Sequence, residues 1–442
     1  MSGKDQAKRL QEIQLEKLKA VLKETSASNN FYRQKFEKSG FKISEHEDCQ
    51  SLQELLGMLP FTEKRELQED QEKNPPYGSN LTFALEAYTR IHRTSGTTGA
   101  PIYWLDTPES WQWFIDCWKK VYLGAGVTAE DRIFFPFSFG PFIGFWGAFE
   151  AGLQAGNFCL AGGGMSSIGR LEYMLEHRIT VVCCTPSYAL HLAEVAQQEG
   201  INLPESSVRA LIVAGEPGGQ IQGTRKLIED SWGARVLDHH GMTEIGCVTF
   251  EDPASPGALV PLEEDFIVEV LEPGEATPAA DGVPGELVLT NLGRTASPLV
   301  RYRTGDLVSW QPNTRGELVL GFQPGGFLQG GILGRVDDMF FVRGNNVYPA
   351  SVESAIREFH EVAEYRMRVV ESGDLNSLEV DIEPTSAYIE QIEPIGELLA
   401  KRVEKALHDA LLFRVQVFPV EPGSLPRFEL KASRLVREKD NE

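Results

Sequence analysis

The stretch HRTSGTTGAP, residues 92–101, is the most informative feature of the sequence. From Thr94 to Gly99, every residue is either a glycine or carries a hydroxyl group. Such a run cannot pack into a core and has little tendency to form a helix or a strand. We therefore interpret it as a loop whose backbone N–H groups and hydroxyls wrap an anion, usually a phosphate. It is not a GxxxxGK[ST] nucleotide loop, because no lysine follows the second glycine. A solvated linker is the alternative.

The composition is that of an ordinary globular protein with two or three domains. The chain has 442 residues, of which 42% are hydrophobic and 24% are charged, and its formal net charge is -22. This charge disfavours a nucleic-acid partner and docking on anionic membranes. The first ten residues contain no apolar signal-peptide core, and the apolar run 133–149 is short for a membrane span and contains two prolines. We therefore expect a cytoplasmic protein with no membrane partner.

The middle of the chain alternates strand and helix patterns, which predicts a parallel sheet with helices on its faces. From about residue 265, strands separated by Gly/Pro turns predict a small β-rich subdomain. We predict an α/β protein with a large N-terminal domain over 1–334 and a small mobile α+β domain over 335–442. The predicted helices are 4–25, 186–198, 221–232, 350–359 and 389–411. The predicted strands are 180–184, 210–214, 235–238, 266–271, 286–290, 299–302, 366–370, 378–382 and 414–420.

A second motif, DHHGMTE, occupies residues 238–244 directly after a predicted strand. In open α/β sheets, ligands bind beyond the carboxyl ends of the strands. The ring of His240 can cover a base, the hydroxyl of Thr243 can meet a phosphate, and the carboxylate of Glu244 can hold Mg²⁺. The alternatives are a metal-free surface loop and a zinc site built from His239 and His240. Adjacent histidines point in different directions, which disfavours zinc.

Four further segments carry weaker signals. The glycines of VAGEPGG (213–219) would let the backbone approach a purine closely, and Asp306 lies in a tight turn where it could accept the hydroxyls of a ribose. Arg335 stands near two aspartates, which is the usual pattern of a surface ion pair. Lys431, taken alone, is typical of a solvated residue near a C-terminus.

Taken together and in this order, the motifs resemble the adenylate-forming superfamily of acyl-CoA synthetases, adenylation domains and luciferases, from about residue 30 to residue 435. The similarity is greatest to the phenylacetate–CoA ligase family. The segments that carry it are FSFGPFIGFWGAFEAG (137–152), GGGMS (162–166), CCTPSYAL (183–190), VAGEPGG (213–219), DHHGMTEIG (238–246) and GGILGRVDDMFFVRGNNVYP (330–349).

The resemblance implies a role for each matching position. The loop that holds the β- and γ-phosphates of ATP would consist of Thr94, Ser95, Gly96, Thr97, Thr98 and Gly99. The adenosine would be bound by Gly215, Glu216 and Pro217 along the adenine, by His240 over its face beside His239 and Gly241, and by Asp306 at the ribose. Thr243 would meet the α-phosphate, Glu244 would hold Mg²⁺, Arg335 would bind the sugar-phosphate of the nucleotide, and Lys431 would be the adenylation lysine. The hinge would be Asp337, and the CoA channel would include Arg343 and Gly344.

The chain departs from the family pattern at three places. Ile102 and Tyr103 follow the proline of the phosphate loop where many superfamily members have lysine. Position 240 is His where most superfamily members have tyrosine. The Cys/His cluster that some relatives carry after the Glu motif is absent, and the six cysteines show no CxxC pairs. We therefore expect reduced thiols and no structural zinc.

These observations predict an ATP-dependent acid–thiol ligase that uses ATP, Mg²⁺ and coenzyme A. The acid is expected to be aryl or otherwise apolar, because Phe139, Phe142 and Trp146 belong to an aromatic stretch that could line its pocket; an ordinary core is the alternative. Two other functions stay open. One is an adenylate-forming ligase that passes the acyl group to a carrier protein or an amine, and the other is a non-catalytic nucleotide sensor. For the oligomeric state, a homodimer is one of the alternatives.

Overall fold

The computed structural model describes most of the chain. The described residues are 3–94, 101–314, 316, 318–319, 324–342, 345–372, 375–385, 388, 395–428 and 431–439. The chain forms two compact units. The first contains Met1–Gly164, Ile179–Cys183 and Leu237–Gly331, and the second contains Met165–Arg178, Cys184–Val236 and Ile332–Glu442. Within the described residues, no helix combines the length and the apolar character needed to cross a membrane.

Helices form the beginning of the first unit. They are α1 (Gly3–Ser28), α2 (Asn30–Ser39), α3 (Leu52–Met58) and α4 (Lys64–Lys73). The opening helix predicted over 4–25 is confirmed by α1. Asn29 caps α2 by accepting the N–H of Tyr32. Leu18 and Tyr32 are fully buried in a core that also contains Ile267 and Val300, so these helices are fixed by packing against distant parts of the same unit.

A hairpin carries the glycine- and hydroxyl-rich stretch. Its strands are β1 (Arg90–Arg93) and β2 (Tyr103–Asp106), and they pair antiparallel with Arg93 opposite Tyr103. The chain then enters α5 (Pro108–Gly124), which Thr107 caps by accepting the N–H of Ser110. The stretch is therefore the connection of a hairpin.

The predicted parallel α/β sheet is confirmed. It has the order β4-β3-β5-β6-β7, and β3 runs parallel to both β4 and β5. Every residue of β5 and β6 is buried, as expected for strands covered on both faces. The strands are β3 (Arg132–Phe135), β4 (Phe158–Ala161), β5 (Val181–Cys184), β6 (Ala210–Val213) and β7 (Arg235–Asp238). The helices are α6 (Trp146–Gln154), α7 (Ser167–Glu176), α8 (Pro186–Gln198) and α9 (Gln222–Trp232).

The predicted β-rich region follows β7. Its strands are β8 (Gly241–Met242), β9 (Gly246–Cys247), β10 (Thr249–Glu251), β11 (Ala258–Pro261), β12 (Phe266–Leu271), β13 (Pro284–Asn291), β14 (Tyr302–Pro312) and β15 (Gly326–Gln329). The main sheet follows the order β10-β11-β15-β14-β13-β12 with antiparallel neighbours. The strand predicted over 299–302 is wrong, because β14 begins only at Tyr302. Arg301 has a φ of 45°, in the left-handed region, and its guanidinium is held by Glu269 and by the carbonyl groups of Leu56 and Leu59.

The C-terminal part is mixed α+β, as predicted. Its elements are β16 (Gly334–Arg335), β17 (Phe340–Val342), β18 (Asn345–Val347), α10 (Pro349–Ile356), β19 (Val362–Ser372), β20 (Leu375–Pro384), α11 (Ile395–Leu411), β21 (Gln416–Pro419) and β22 (Leu435–Lys439). Its sheet has the order β21-β20-β19-β22 around the antiparallel pair β19–β20. Val352, Val380, Leu399 and Val403 form the centre of its core. The helix predicted over 389–411 is seen from Ile395 onward, and residues 389–394 lie outside the described residues.

Candidate functional site

The base of the predicted phosphate loop is closed by two hydrogen bonds. The N–H of Thr94 donates to the carbonyl group of Ile102, and the N–H of Ile102 donates to the hydroxyl of Thr94, each over 2.9 Å. Thr94 is buried, so its hydroxyl fixes the start of the loop from inside. The other predicted loop residues, Ser95, Gly96, Thr97, Thr98 and Gly99, lie outside the described residues. Their role remains a prediction.

His239 is a structural residue of the first unit. Its ring is buried, its Nδ1 lies 2.9 Å from the carbonyl oxygen of Thr249, and its edge meets the ring of Trp118 at a centroid distance of 4.4 Å. Burial lowers the pKa of His239 to about 4, because the imidazolium form would lose its hydration. The imidazole is therefore neutral and donates its Nδ1 proton to Thr249. His239 orders the segment in which the other motif residues lie.

His240 points to a different partner. Its Nε2 lies 3.5 Å from Oδ2 of Asp306, and both side chains are largely buried. The backbone N–H of His240 donates to the hydroxyl of Thr249 over 3.0 Å. Asp306 follows Gly305, whose φ of 76° lies within strand β14 where its register with β13 shifts, so the tight turn predicted here is wrong and the residue stands at an irregularity of the strand. The structure thus brings together the residue predicted to cover the base and the residue predicted to bind the ribose, although they are far apart in sequence.

Glu244 is the buried carboxylate of the motif. It is 3% exposed, and its Oε1 accepts no hydrogen bond from the residues that the structure describes. Lys64, at the beginning of α4, forms an ion pair with this carboxylate, with its Nζ 3.6 Å from Oε1. A buried carboxylate oxygen without a donor is costly, and such an oxygen is the kind of ligand that Mg²⁺ prefers. Glu244 therefore fits a metal-binding role, and Lys64 balances part of its charge.

A buried ion pair holds the backbone of this motif. Arg294 and Asp106 are fully buried, and the guanidinium donates from Nε over 2.7 Å and from Nη2 over 2.6 Å to the two carboxylate oxygens. Nη1 donates to the carbonyl oxygens of Thr243 over 2.6 Å and Glu244 over 3.3 Å. The ion pair therefore holds the backbone of Thr243 and Glu244 in place. Sequence reasoning missed Lys64, Arg294 and Asp106, because each lies far along the chain in a segment without a recognisable motif.

The aromatic stretch divides into core and partly exposed rings. Phe135 and Phe145 are buried, whereas Phe139, Phe142 and Trp146 keep partial exposure. The rings of Phe139 and Trp146 meet edge-on at a centroid distance of 4.7 Å, and the indole N–H of Trp146 donates to the carbonyl group of Gly140. The three rings predicted to contact the acid thus retain accessible surface, as Phe137 does, and the core alternative holds for Phe135 and Phe145.

In the second unit, the segment after β6 meets the residues around Lys431. Gly215 has a φ of 96°, and a Cβ atom placed there would lie 3.8 Å from Cε of Lys431. Glu216 accepts the N–H of Ser187 over 2.8 Å and also the N–H of Ala432. The carboxylate of Glu216 therefore holds the residue that follows the predicted adenylation lysine. Pro217, predicted beside the adenine, is exposed.

Arginines anchor the last part of the chain within the same unit. Arg427 donates to both carboxylate oxygens of Glu194 over 2.8 and 2.9 Å and also binds Glu383. Arg434 binds Glu364 and donates to the hydroxyl of Ser187 over 3.2 Å. Sequence reasoning missed these pairs, because nothing in the sequence shows which carboxylates face these arginines.

The predicted hinge region contains the ion pair that the sequence left as an alternative for Arg335. Its Nε lies 2.9 Å from Oδ1 of Asp337, and both side chains are partly exposed. Arg343 and Gly344, predicted in the CoA channel, lie outside the described residues. In the part of the chain that the structure describes, no group of three or more His, Cys, Asp or Glu side chains is arranged to hold a metal ion.

The chain matches two family models. Residues 11–294 match the AMP-binding enzyme model, and residues 344–439 match the model of the AMP-binding enzyme C-terminal domain. The chain is also 30% identical over 437 residues to a phenylacetate-coenzyme A ligase of Pseudomonas putida, and this alignment covers 96% of this chain and 93% of that relative.

Solved structures of a 2-hydroxyisobutyryl-CoA ligase are similar as well. The form in the postadenylation state, in complex with 2-HIB-AMP, has 26% sequence identity and a TM-score of 0.89, covering 96% of this chain and 88% of that one. The form in the thioesterification state, in complex with 2-HIB-AMP and CoA, has 27% identity and a TM-score of 0.71, covering 98% of this chain and 90% of that one.

Proposed function

The chain belongs to the AMP-binding enzyme family and is an AMP-forming acyl-CoA ligase, and we propose that its substrate is an aryl or similarly apolar carboxylic acid. Three partly exposed rings, Phe139, Phe142 and Trp146, support this substrate class. They offer flat apolar surface of the kind that lines pockets for aromatic ligands. The phenylacetate-coenzyme A ligases among its relatives support the same class.

The reaction proceeds in two steps. In the first, a carboxylate oxygen of the acid attacks the α-phosphorus of ATP, the bond from that phosphorus to the bridging oxygen breaks, and pyrophosphate leaves with the electron pair. In the second, the sulfur of CoA attacks the carbonyl carbon of the acyl-AMP. The bond from that carbon to the phosphate oxygen breaks, AMP leaves, and the thiol proton is released. Both steps depend on placing two reactants together and on stabilising negative charge.

We propose that Glu244 binds the metal ion. Its buried Oε1, which accepts no hydrogen bond from the described residues and lies 3.6 Å from Nζ of Lys64, would hold Mg²⁺, and Arg294 fixes the backbone from which the carboxylate projects. Mg²⁺ bound there would neutralise charge on the phosphates as the α-phosphoryl group is transferred. In our proposal, the hydroxyl of Thr243 meets the α-phosphate, Asp306 accepts the ribose hydroxyls and His240 covers the adenine.

Lys431 is proposed to supply the positive charge of the adenylation step. It is exposed, and the bond from the N–H of Ala432 to Glu216 orders the chain directly after it. We propose that the segment 335–442 acts as a mobile domain with its hinge at Asp337, so that Lys431 serves the first step and withdraws for the second. The enzyme is proposed to act in the cytoplasm.

The test is a pyrophosphate-release screen against a panel of carboxylic acids, with and without CoA. We expect release with aryl acids, faster turnover when CoA is present, and acyl-CoA as the product. Glu244→Gln should lower the rate by about a hundredfold, the usual cost of one well-placed electrostatic contact. Glu205→Gln, which changes an exposed carboxylate, is the matched control and should keep the wild-type rate.

Two results of the screen would contradict the proposal. Release of pyrophosphate that CoA does not accelerate, with no acyl-CoA formed, would favour transfer of the acyl group to a carrier protein or an amine. Binding of ATP without pyrophosphate release for any acid would favour a nucleotide sensor. Near-normal acyl-AMP formation by Glu244→Gln would show that this carboxylate does not hold the metal.

A further inference from the structure

Arg93 lies where the hairpin meets the aromatic stretch. It is the last residue of β1 and directly precedes Thr94. Its backbone N–H donates to the carbonyl group of Pro141 over 2.8 Å, and its Cζ lies 5.4 Å from the centre of the Phe142 ring. Arg93 thus directly precedes the base of the predicted phosphate loop and also contacts a ring that is predicted to contact the acid.

The guanidinium of Arg93 has no anionic partner among the residues that the structure describes. Its Nε is buried and has no hydrogen-bond acceptor there. Arg90, at the other end of the same strand, shows the usual arrangement, because its Nη2 lies 2.7 Å from Oε1 of Glu150. Burying a guanidinium N–H without an acceptor destabilises a fold. The arrangement is explained if Arg93 receives its acceptor from a ligand.

The surroundings favour an oxyanion as that ligand. Phe142 covers one face of the guanidinium, a contact that leaves the N–H groups on its edge able to form two parallel bonds to a phosphate or a carboxylate. The sequence from Thr94 to Pro101 contains no lysine or arginine, so Arg93 is the cation that directly adjoins the loop. The chain has a formal net charge of -22, so an arginine without a carboxylate partner among the described residues is unusual.

We propose that Arg93 binds an oxyanion of the substrates and is a further substrate-binding residue of the site. The proposal rests on the proposed function, because it takes the loop and the aromatic rings as parts of one active site. Two substrates can supply this chemistry. One is the polyphosphate of ATP, which leaves as pyrophosphate. The other is a second acidic group on the carboxylic acid, which would make the preferred acid an aromatic dicarboxylate.

The first arm of the test measures binding and needs no turnover. Isothermal titration with inorganic pyrophosphate compares the wild type with Arg93→Gln and Arg93→Lys, and AMP serves as the ligand without the terminal phosphates. If the polyphosphate is the oxyanion, Arg93→Gln weakens pyrophosphate binding at least tenfold, Arg93→Lys weakens it less, and AMP binding stays within twofold. Arg132→Gln is the matched control, because its guanidinium also lies over a phenyl ring, that of Phe158, in a different strand.

The second arm measures acid preference. Pairs of aromatic acids that differ by one added carboxylate are compared through kcat/KM in pyrophosphate release. If the acid supplies the oxyanion, the wild type prefers the dicarboxylate at least tenfold, Arg93→Gln loses that preference, and pyrophosphate binding is unchanged. Circular dichroism and the thermal midpoint verify folding, and if Arg93→Gln is unfolded, Arg93→Lys is used in both arms.

The outcomes separate this proposal from the proposed function. If the folded Arg93 variant and the wild type agree within twofold in both arms, the proposal is overturned, even when the enzyme is an active ligase. If no acid supports pyrophosphate release, the proposed function fails. In that case the titration is repeated with the dicarboxylate of each acid pair, and equal affinities of Arg93→Gln and the wild type for both pyrophosphate and the dicarboxylates would overturn the role of Arg93.

Discussion

The ion pair of Arg294 and Asp106 offers the sharpest test of how the fold holds Thr243 and Glu244. Four hydrogen bonds leave the guanidinium, two to Asp106 and one to each of the two carbonyl groups. Arg294→Met keeps a stem of similar shape and leaves the Asp106 carboxylate fully buried without its partner. Breaking a buried pair costs about 3–5 kcal/mol, because the remaining charge stays desolvated. We expect the free energy of unfolding to fall by that amount.

Unfolding in guanidinium chloride, followed by tryptophan fluorescence, measures this loss. The ring of Trp104 lies 5.7 Å from Cζ of Arg294, so its signal reports on the region directly. The double variant Asp106→Leu, Arg294→Met removes both charges and should recover most of the lost stability, since apolar replacement of a buried pair is often neutral. Its adenylation should remain slow, because the carbonyl groups of Thr243 and Glu244 still lack their donor.

Two results would refute this reasoning. If the free energy of unfolding of Arg294→Met lies within about 1 kcal/mol of the wild-type value, instead of about 3–5 kcal/mol below it, the pair does not stabilise the fold. If the double variant regains both stability and the wild-type rate of acyl-AMP formation, Arg294 does not position the motif.

Three further predictions concern the two half-reactions, the acid and the pH dependence. Lys431→Ala should impair acyl-AMP formation but leave thiolysis of supplied acyl-AMP largely intact. Asp337→Pro, which fixes φ at the hinge, should do the reverse; single-turnover assays measure both, and equal damage to both steps in both variants would contradict the two-conformation mechanism. Phe139→Ala should raise KM for the acid far more than KM for ATP, whereas a loss of stability with unchanged substrate preference would make this ring part of the core. His239 has its pKa lowered to about 4 by burial, so its contribution to stability is present above pH 6.5 and is lost as the pH falls toward 4. Urea unfolding at several pH values measures this loss of stability. At pH 4 the loss should be smaller in His239→Gln than in the wild type by about 2–3 kcal/mol. If the variant and the wild type have the same pH profile, His239 is not buried as a neutral ring.

Elements with clear end signals could be predicted from the sequence. Helix α8 was predicted over 186–198 and has those bounds, because Thr185 caps it and Pro186 occupies its first turn. The strand predicted over 299–302 failed for a reason that local sequence cannot show. Arg301 takes a left-handed conformation because its side chain is bound by Glu269 and by two distant backbone carbonyl groups. Contacts with distant residues therefore determine the backbone conformation at Arg301.

The same distinction between local sequence signals and tertiary contacts applies to the candidate site. Residues within one motif, such as His240 and Glu244, could be proposed from residue type and their place after a strand. Lys64 and Arg294 could not, because their partners lie 180 and 188 positions away in the sequence and only the folded chain brings them together. Residue type also does not show which of two adjacent histidines serves the fold. That distinction came from the contacts of His239 with Thr249 and Trp118.

Comparison with two other buried carboxylates supports the proposal that Glu244 holds a metal ion. Glu251 accepts the N–H of Asp238 on one oxygen and the N–H of Gly257 on the other, so both its oxygens serve the fold. Asp265 accepts the indole N–H of Trp113 and pairs with Lys120. Glu244 is as deeply buried, yet its Oε1 lacks a hydrogen-bond donor among the described residues. Among the described residues, the Oε1 of Glu244 thus has an ion pair with Lys64 at 3.6 Å but no hydrogen-bond donor, and in our proposal this oxygen binds the metal ion.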